Sequence, residues 1–505
     1  MTPQSSLDRK IVYLVVIAVL LVPLSYLGRP ATSDSATADG SPGGMLAQKR
    51  AEHNLMQAEL GQIDPTSETI KLVTFGLRGI AANILWEKAH RYKREKDWTN
   101  LSATLEQITR LQPNFISVWQ FQAWNLSYNV SVEFDDFHDR YRWVIKGIDF
   151  LKKGIQFNER AAPLFWDVGW FISQKIGRSD ERRQFRQLFK RDDDFHGSRP
   201  ELERDNWLVG KEWFKKVIQL VENEGASMGG KSPLIYHSDP TMCQMNYAKD
   251  QEKEGTFGQK ARHAWAKAAE EWSAFGSRDF PTAYASSIRL KDRQVYEEKI
   301  QQMIDQLDAL KPGLREQLVE QKRAALTEEQ RQALDTPPLD RTSQQHSLAA
   351  EAEPTLRVTH EDVAQKIEGE NRAEAIALAK QVAEAERVLG IINRYRDIVN
   401  YDFWQMRSEV EQTPEAVRAR ELIFKADQAY EEGDLMASGD YYEDGFKAWR
   451  QVFDMFPQLV TDEVFGAELM EVIQNYRRVL HLRDEPFPKD FTLQDLIDAV
   501  IKHQR

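Results

Sequence analysis

Cysteine is nearly absent: Cys243 is the only one in 505 residues. A single thiol excludes an intramolecular disulfide, a C-x-x-C-H haem attachment and a cysteine-based zinc site within one chain. No lipobox cysteine follows the N-terminal apolar run. Basic residues are in deficit as well, 67 Lys and Arg against 79 Asp and Glu, for a formal charge of −12. That balance argues against nucleic acid as the main partner, because phosphate binding needs a basic face. No H-E-x-x-H, S-x-x-K or G-x-G-x-x-G sequence occurs, so the metalloprotease, lactamase-like and dinucleotide signatures are missing. Alternating β-branched runs between hairpin turns are missing too, and the expected fold class is all-α.

What is present is globular in composition. The chain is 41% hydrophobic and 10% aromatic, enough for sizeable cores and for roughly two to four domains. Arg9 and Lys10 precede Ile11–Leu27, a run without charge at the short end of a membrane-spanning helix. Tyr13 and Tyr26 lie near its two ends, where aromatic rings favour the interface. The small-residue triplet Ala36-Thr37-Ala38 stands well downstream, which favours an uncleaved signal anchor over a cleaved signal peptide. With Arg9 and Lys10 on the short side, the expected product is a single-pass membrane protein whose bulk is exported. Arg29 just after the run works against that orientation. A second apolar stretch, Leu72–Trp86, is interrupted by Arg78 and reads as a core helix.

Composition divides the rest as follows. Residues 1–10 are a short tail, 11–28 the anchor, and 29–66 a flexible tether with a leading helix. Residues 67–178 form a helical block, 179–290 an aromatic-rich helical insertion, 291–358 a charged helical arm and linker, and 359–505 a C-terminal helical block. In the first block Ile80, Ile84, Leu85, Ala89 and Tyr92 recur at helical spacing before a break at Lys96-Asp97. Leu101, Leu105, Ile108 and Leu111 follow on a second helix that Pro113 ends. Helices over Phe115–Tyr128, Tyr141–Ile155 and Leu164–Ile176 come next, dense in tryptophan (Trp119, Trp124, Trp143, Trp166, Trp170). That density reads as packing between stacked helices rather than a ligand cage. Between the blocks, Lys291–Leu334 reads as an exposed arm or short antiparallel pair broken at Pro312-Gly313, and Asp335–Pro354 as a linker. Thr359 is placed to cap one long helix after it.

These hairpins resemble the tetratricopeptide repeat (TPR) family. Aligning Pro113 with that repeat's terminal proline puts Leu85, Ala89, Tyr92, Leu105 and Ile108 on its apolar positions. Leu101 departs from the family, which wants a small residue there. The resemblance returns over Glu421–Pro457, with Ala426, Tyr430 and the turn sequence Glu431-Glu432-Gly433-Asp434. There Gly445, Trp449 and Val452 precede Pro457, and "MASGDYY" reads as an insertion stretching the turn. The chain is also similar to large, single-anchor, TPR-like membrane proteins of bacteria, including uncharacterised ones from planctomycetes. The family implies stacked helical hairpins that bind protein partners; it implies no activity and no cofactor.

One stretch, GASMGGKS at Gly225–Ser232, matches the phosphate-loop pattern G-x-x-x-x-G-K-[ST]. A working loop follows a strand and opens a helix, with free backbone N–H groups around the phosphates. Upstream, however, Phe214, Val217, Ile218 and Val221 have helical spacing, and Pro233 removes an N–H directly after Ser232. The same context speaks against Ser227 as the nucleophile of a G-x-S-x-G elbow. His237, Asp239, Cys243 and His263 fit no recognised metal-ligand spacing. The basic run Arg178, Arg182, Arg183, Arg186, Lys190 and Arg191 is followed by Asp192-Asp193-Asp194. It reads as a solvated face, with docking of an acidic partner or lipid headgroups as the alternative. No catalytic, cofactor or metal residue is therefore assigned. The expected function is a membrane-anchored helical scaffold for other proteins, held through residues 11–27. Self-association within a membrane complex, and nucleotide binding at 225–232, are the alternatives.

Overall fold

The computed structural model describes residues 11–13, 15–17, 19–20, 22–23, 26–27, 44–52, 78–283 and 287–503. Among them the regular structure is helical apart from one short antiparallel pairing, Phe280–Pro281 with Ser287–Ile288. No helix of the described residues is long and apolar enough to cross a membrane. The span expected at 11–28 lies only in part within those residues, and of the tether and leading helix expected at 29–66 only residues 44–52 do. The chain folds as two compact units, residues 1–268 with 410–505, and residues 269–409.

After α1 (Met45–Glu52), the first unit builds a hairpin from α2 (Arg78–Arg94) and α3 (Trp98–Leu111). Asp97 stops one helix and starts the next, its carboxylate accepting the Asn100 N–H at 3.1 Å. Ala89, Leu105 and Ile108 are buried between the two helices with Leu85 and Tyr92 packed against them. Leu101, the residue that departs from the repeat pattern, is fully buried in the same cluster. Pro113 follows the hairpin, and its carbonyl accepts both the Trp119 indole N–H and the Asn158 amide at 2.8 Å.

Next come α4 (Ile116–Trp124), α5 (Phe137–Phe157) and α6 (Ala162–Trp170). Both α4 and α6 continue into π-helical turns, Asn125–Val130 and Phe171–Lys175, a widening often found at functional surfaces. The close crossing of α4 and α5 depends on Gly147, where an added Cβ would stand 2.8 Å from the Ala123 carbonyl oxygen. Helices α7 (Arg182–Lys190), α8 (Asn206–Glu224), α9 (Pro233–Lys253) and the first half of α10 (Gln259–Gly276) complete this stretch.

The second unit contains α11 (Arg293–Ala309), α12 (Leu314–Ala324), α13 (Glu328–Asp335), α14 (Ser343–Leu356), α15 (His360–Gln365), α16 (Arg372–Val399) and most of α17 (Tyr401–Glu411). Three expectations change here. The charged stretch after Lys291 is not an exposed arm. One face of α11 (Ile300, Met303) packs on Val382 and Ala385 of α16, and Leu307 joins Leu314, Leu318 and Leu378 in a second core. The expected linker holds α14, which starts in a capping box where Thr342 and Gln345 satisfy each other's backbone N–H. Finally, the helix capped by Thr359 is only α15; the chain breaks at Gly369, with φ +76°, before the long α16 begins.

Back in the first unit, α18 (Pro414–Glu431) and α19 (Leu435–Met455) form a hairpin, followed by α20 (Glu463–Leu482) and α21 (Gln494–His503). The turn between α18 and α19 is only Glu432-Gly433-Asp434, so "MASGDYY" is not a stretched turn. Ser438 and Tyr442 fall one helical turn apart and are both buried, which makes that segment the start of α19. The Ser438 hydroxyl donates to the Ala426 carbonyl at 2.9 Å. At Gly445 a Cβ would meet Ile423 Cδ1 at 2.7 Å. Trp449 and Val452 are fully buried, while Tyr430 is half-buried and Gly433 and Pro457 are exposed.

Candidate functional site

The GASMGGKS loop joins two helices, not a strand and a helix. Gly225 ends α8 in the left-handed region, φ +66°, and Pro233 opens α9, where its missing N–H costs nothing. Ser227 accepts the Gly229 N–H at 3.1 Å and belongs to the loop's own turn. Lys231 is directed at the protein: its Nζ lies 3.5 Å from the centroid of the Trp166 ring.

Around that contact the fold gathers two carboxyls that composition could not single out. Asp239 accepts the Trp166 indole N–H at 2.6 Å, and Asp167 accepts the Gln120 amide at 2.6 Å. Burial pushes each carboxyl up to about 6. For Asp167 the Gln120 amide, and for Asp239 the Trp166 indole, is the larger opposing influence, with the Lys231 charge second in both. Carboxyls so displaced are characteristic of functional sites, although buried structural networks produce them too.

The four residues considered as metal ligands are not brought together. Cys243 is buried in the core beside Trp166, Trp207 and Phe214, and burial raises its thiol well above the usual range. His237 Nε2 lies 3.3 Å from the Glu222 carboxylate, Asp239 serves Trp166, and His263 lines a separate groove. Among the described residues no group of three or more His, Cys, Asp or Glu is arranged to hold a metal.

The tryptophan-rich block splits in two. Trp119 is core, 1% exposed, and Trp166 is nearly so. Trp124 is 48% exposed and stacks on Tyr128 at 3.9 Å, and Lys175 stands 4.6 Å over the other ring of that pair. Both π-helical turns thus contribute to one aromatic surface.

The basic run divides by helical phase. Arg186 is buried at 4% exposure and ion-pairs with Asp205 at 3.1 Å, Asp250 at 3.2 Å and Glu254 at 2.7 Å. Lys190 reaches Glu254 at 2.7 Å. Neither Asp192 nor Asp193 neutralises the run: Asp192 caps the following turn and accepts the Tyr141 hydroxyl, and Asp193 pairs with Arg204. Arg182 and Arg183 stay exposed. They form one edge of an open groove of about 790 Å³ whose other edge is Asp427, Glu431 and Glu471 from α18 and α20. That volume is in the range of ligand-binding clefts. A second groove, about 900 Å³, adjoins it and shares Lys190 and Glu254.

No protein-family model matches this chain, and no curated protein matches it.

Proposed function

We propose that the chain is a TPR-like helical scaffold that binds other proteins, anchored in a membrane through residues 11–27 with its bulk on the exported side. Stacked hairpins such as α2/α3 and α18/α19 provide a rigid frame, and frames of this kind present grooves to extended peptides or partner helices. One observation carries the reading. The groove between α7, α9, α18 and α20 has an edge where cations outnumber the paired carboxylates Asp250 and Glu254, and an opposite edge of carboxylates, and Arg182, Arg183, Glu431 and Glu471 make no ion pair among the described residues. Charge held apart across a cleft that is wide enough for a ligand favours a complementary partner.

Site-specific photocrosslinking in cells tests this with the full-length chain. A photoreactive residue at Gln187 or Gln428, both lining the groove, should trap the same discrete partner band. A control at the exposed Arg142 of α5 should not. Equal labelling at all three positions would overturn the reading.

A further inference from the structure

The two edges of the groove are built independently, and each is fixed before any ligand arrives. On the cationic side, the Arg186 network ties α7 to α9 from beneath, leaving Arg182 and Arg183 on the next faces of the same helix, with Lys253 of α9 beside them. On the acidic side, Asp427 accepts the Tyr442 hydroxyl at 2.5 Å; burial raises its carboxyl, that hydrogen bond opposes the rise, and the charges of Glu431 and Glu471 add to it. Those three carboxylates therefore crowd together, and no cation pairs with Glu431 or Glu471 among the described residues. Phe424 supplies an apolar patch in the same groove.

We infer that this groove selects an extended peptide in which basic and acidic residues alternate. The inference rests on the protein-binding reading above and names the partner's chemistry. In an extended chain successive side chains point to opposite sides. A peptide lying along the groove would direct every second residue to the acidic edge and the others to the cationic edge. Alternation satisfies both edges along the whole length. A block arrangement of the same composition sets half of its charges against like charge, which is repulsive. A uniformly acidic or basic peptide satisfies one edge only.

The probes are fluorescein-labelled decapeptides of equal composition, one with lysine and glutamate strictly alternating and one with five lysines followed by five glutamates. Binding to the full-length protein is read by anisotropy at low and moderate salt. The alternating peptide should bind at least about fivefold more tightly, since several modest ion pairs are kept or lost together, and the advantage should shrink with salt. Arg183→Glu and Glu431→Lys should each remove most of the preference; both positions are exposed, so the unfolding curve serves as a folding control. Equal affinity for the two peptides, or a preference that survives both substitutions, would overturn the inference. If groove positions still crosslink a cellular partner in that event, the scaffold reading stands and only the alternation rule fails. If neither occurs, both fail.

Discussion

Lys231 covers the face of Trp166 at 3.5 Å while the indole N–H of that ring donates to Asp239. The lysine of a sequence that matches a phosphate loop is thus engaged with its own protein, and it shares its charge between Asp239 and Asp167. Each carboxyl titrates near 6 when folded against an ordinary 3.8. Between those values the folded state holds a proton that the unfolded state has released, so stability falls as pH rises through this window and is lowest above it. At ~1.4 kcal/mol per pH unit, each group costs the folded protein on the order of 3 kcal/mol at neutral pH. Asp239→Asn keeps an acceptor for the indole and removes the titration. Its stability relative to the parent should rise from pH 4 to 6 and then level off, measured by denaturant midpoints at each pH. Parallel profiles would remove this account.

Lys231→Met should act in the opposite direction. With the cation gone both carboxyls titrate higher, so the decline in stability continues above pH 6 before levelling. A further loss of about 0.5–1 kcal/mol is expected from the ring contact, because the lysine is exposed. The position of the plateau in the same series is the readout, and an unchanged plateau would show that Lys231 does not influence either carboxyl.

Gly147 offers a test of the packing that positions α4 and its π-helical turn. A methyl group there would overlap the Ser127 hydroxyl and press on the Ala123 carbonyl oxygen at 2.8 Å. Alanine gains about 1 kcal/mol of helix propensity over glycine, but overpacking costs about 1–3 kcal/mol. The backbone carbonyl cannot turn aside, and the buried Ser127 hydroxyl donates to the Val144 carbonyl at 3.3 Å, so the packing cost should win. Gly147→Ala should lower the melting temperature, and adding Ser127→Ala should recover part of the loss. A neutral or stabilising Gly147→Ala would mean that α5 shifts freely against α4.

The sequence was readable wherever neighbours along the chain decide the outcome. Helical spacing located α2 to α6, and the Phe214–Val221 pattern identified α8 as the wrong element to precede a phosphate loop. Thr342 and Gln345 also spell a capping box, but Pro337-Pro338 and the Ser/Gln-rich residues after them give the start of α14 the composition of a linker. At "MASGDYY" the match of the repeat to Pro457 suggests a stretched turn, whereas the spacing of Ser438 and Tyr442 marks a helix. The sites were less legible for a different reason. Trp166 and Asp239 are 73 residues apart, and Glu431 meets Glu471 only after α18 and α20 pack. Among 79 acidic residues no local pattern distinguishes those that tertiary structure buries or brings together.

Arg420 joins α18, which carries Asp427 and Glu431 of the groove, to Glu411 and to Glu468 of α20. Arg420 of α18 grips the Glu411 carboxylate with two N–H groups, at 2.5 and 3.2 Å, and reaches Glu468 of α20 at 3.3 Å. The Glu411 side chain has no exposure at all, so its charge relies on partners within the protein. Arg420→Met removes the two-pronged grip on that carboxylate together with the link to Glu468 and should cost about 1–3 kcal/mol. Arg420→Lys keeps the charge but loses the planar fork, and its cost should be intermediate. Pairing Arg420→Met with Glu411→Leu removes both charges of that contact and should regain part of the stability, since apolar replacements of buried pairs are often neutral. Guanidinium unfolding of the four proteins gives the comparison. Equal losses for methionine and lysine would show that the fork geometry, not the charge, holds α18 in place. An unrecovered double variant would assign the anchor to Glu468 instead.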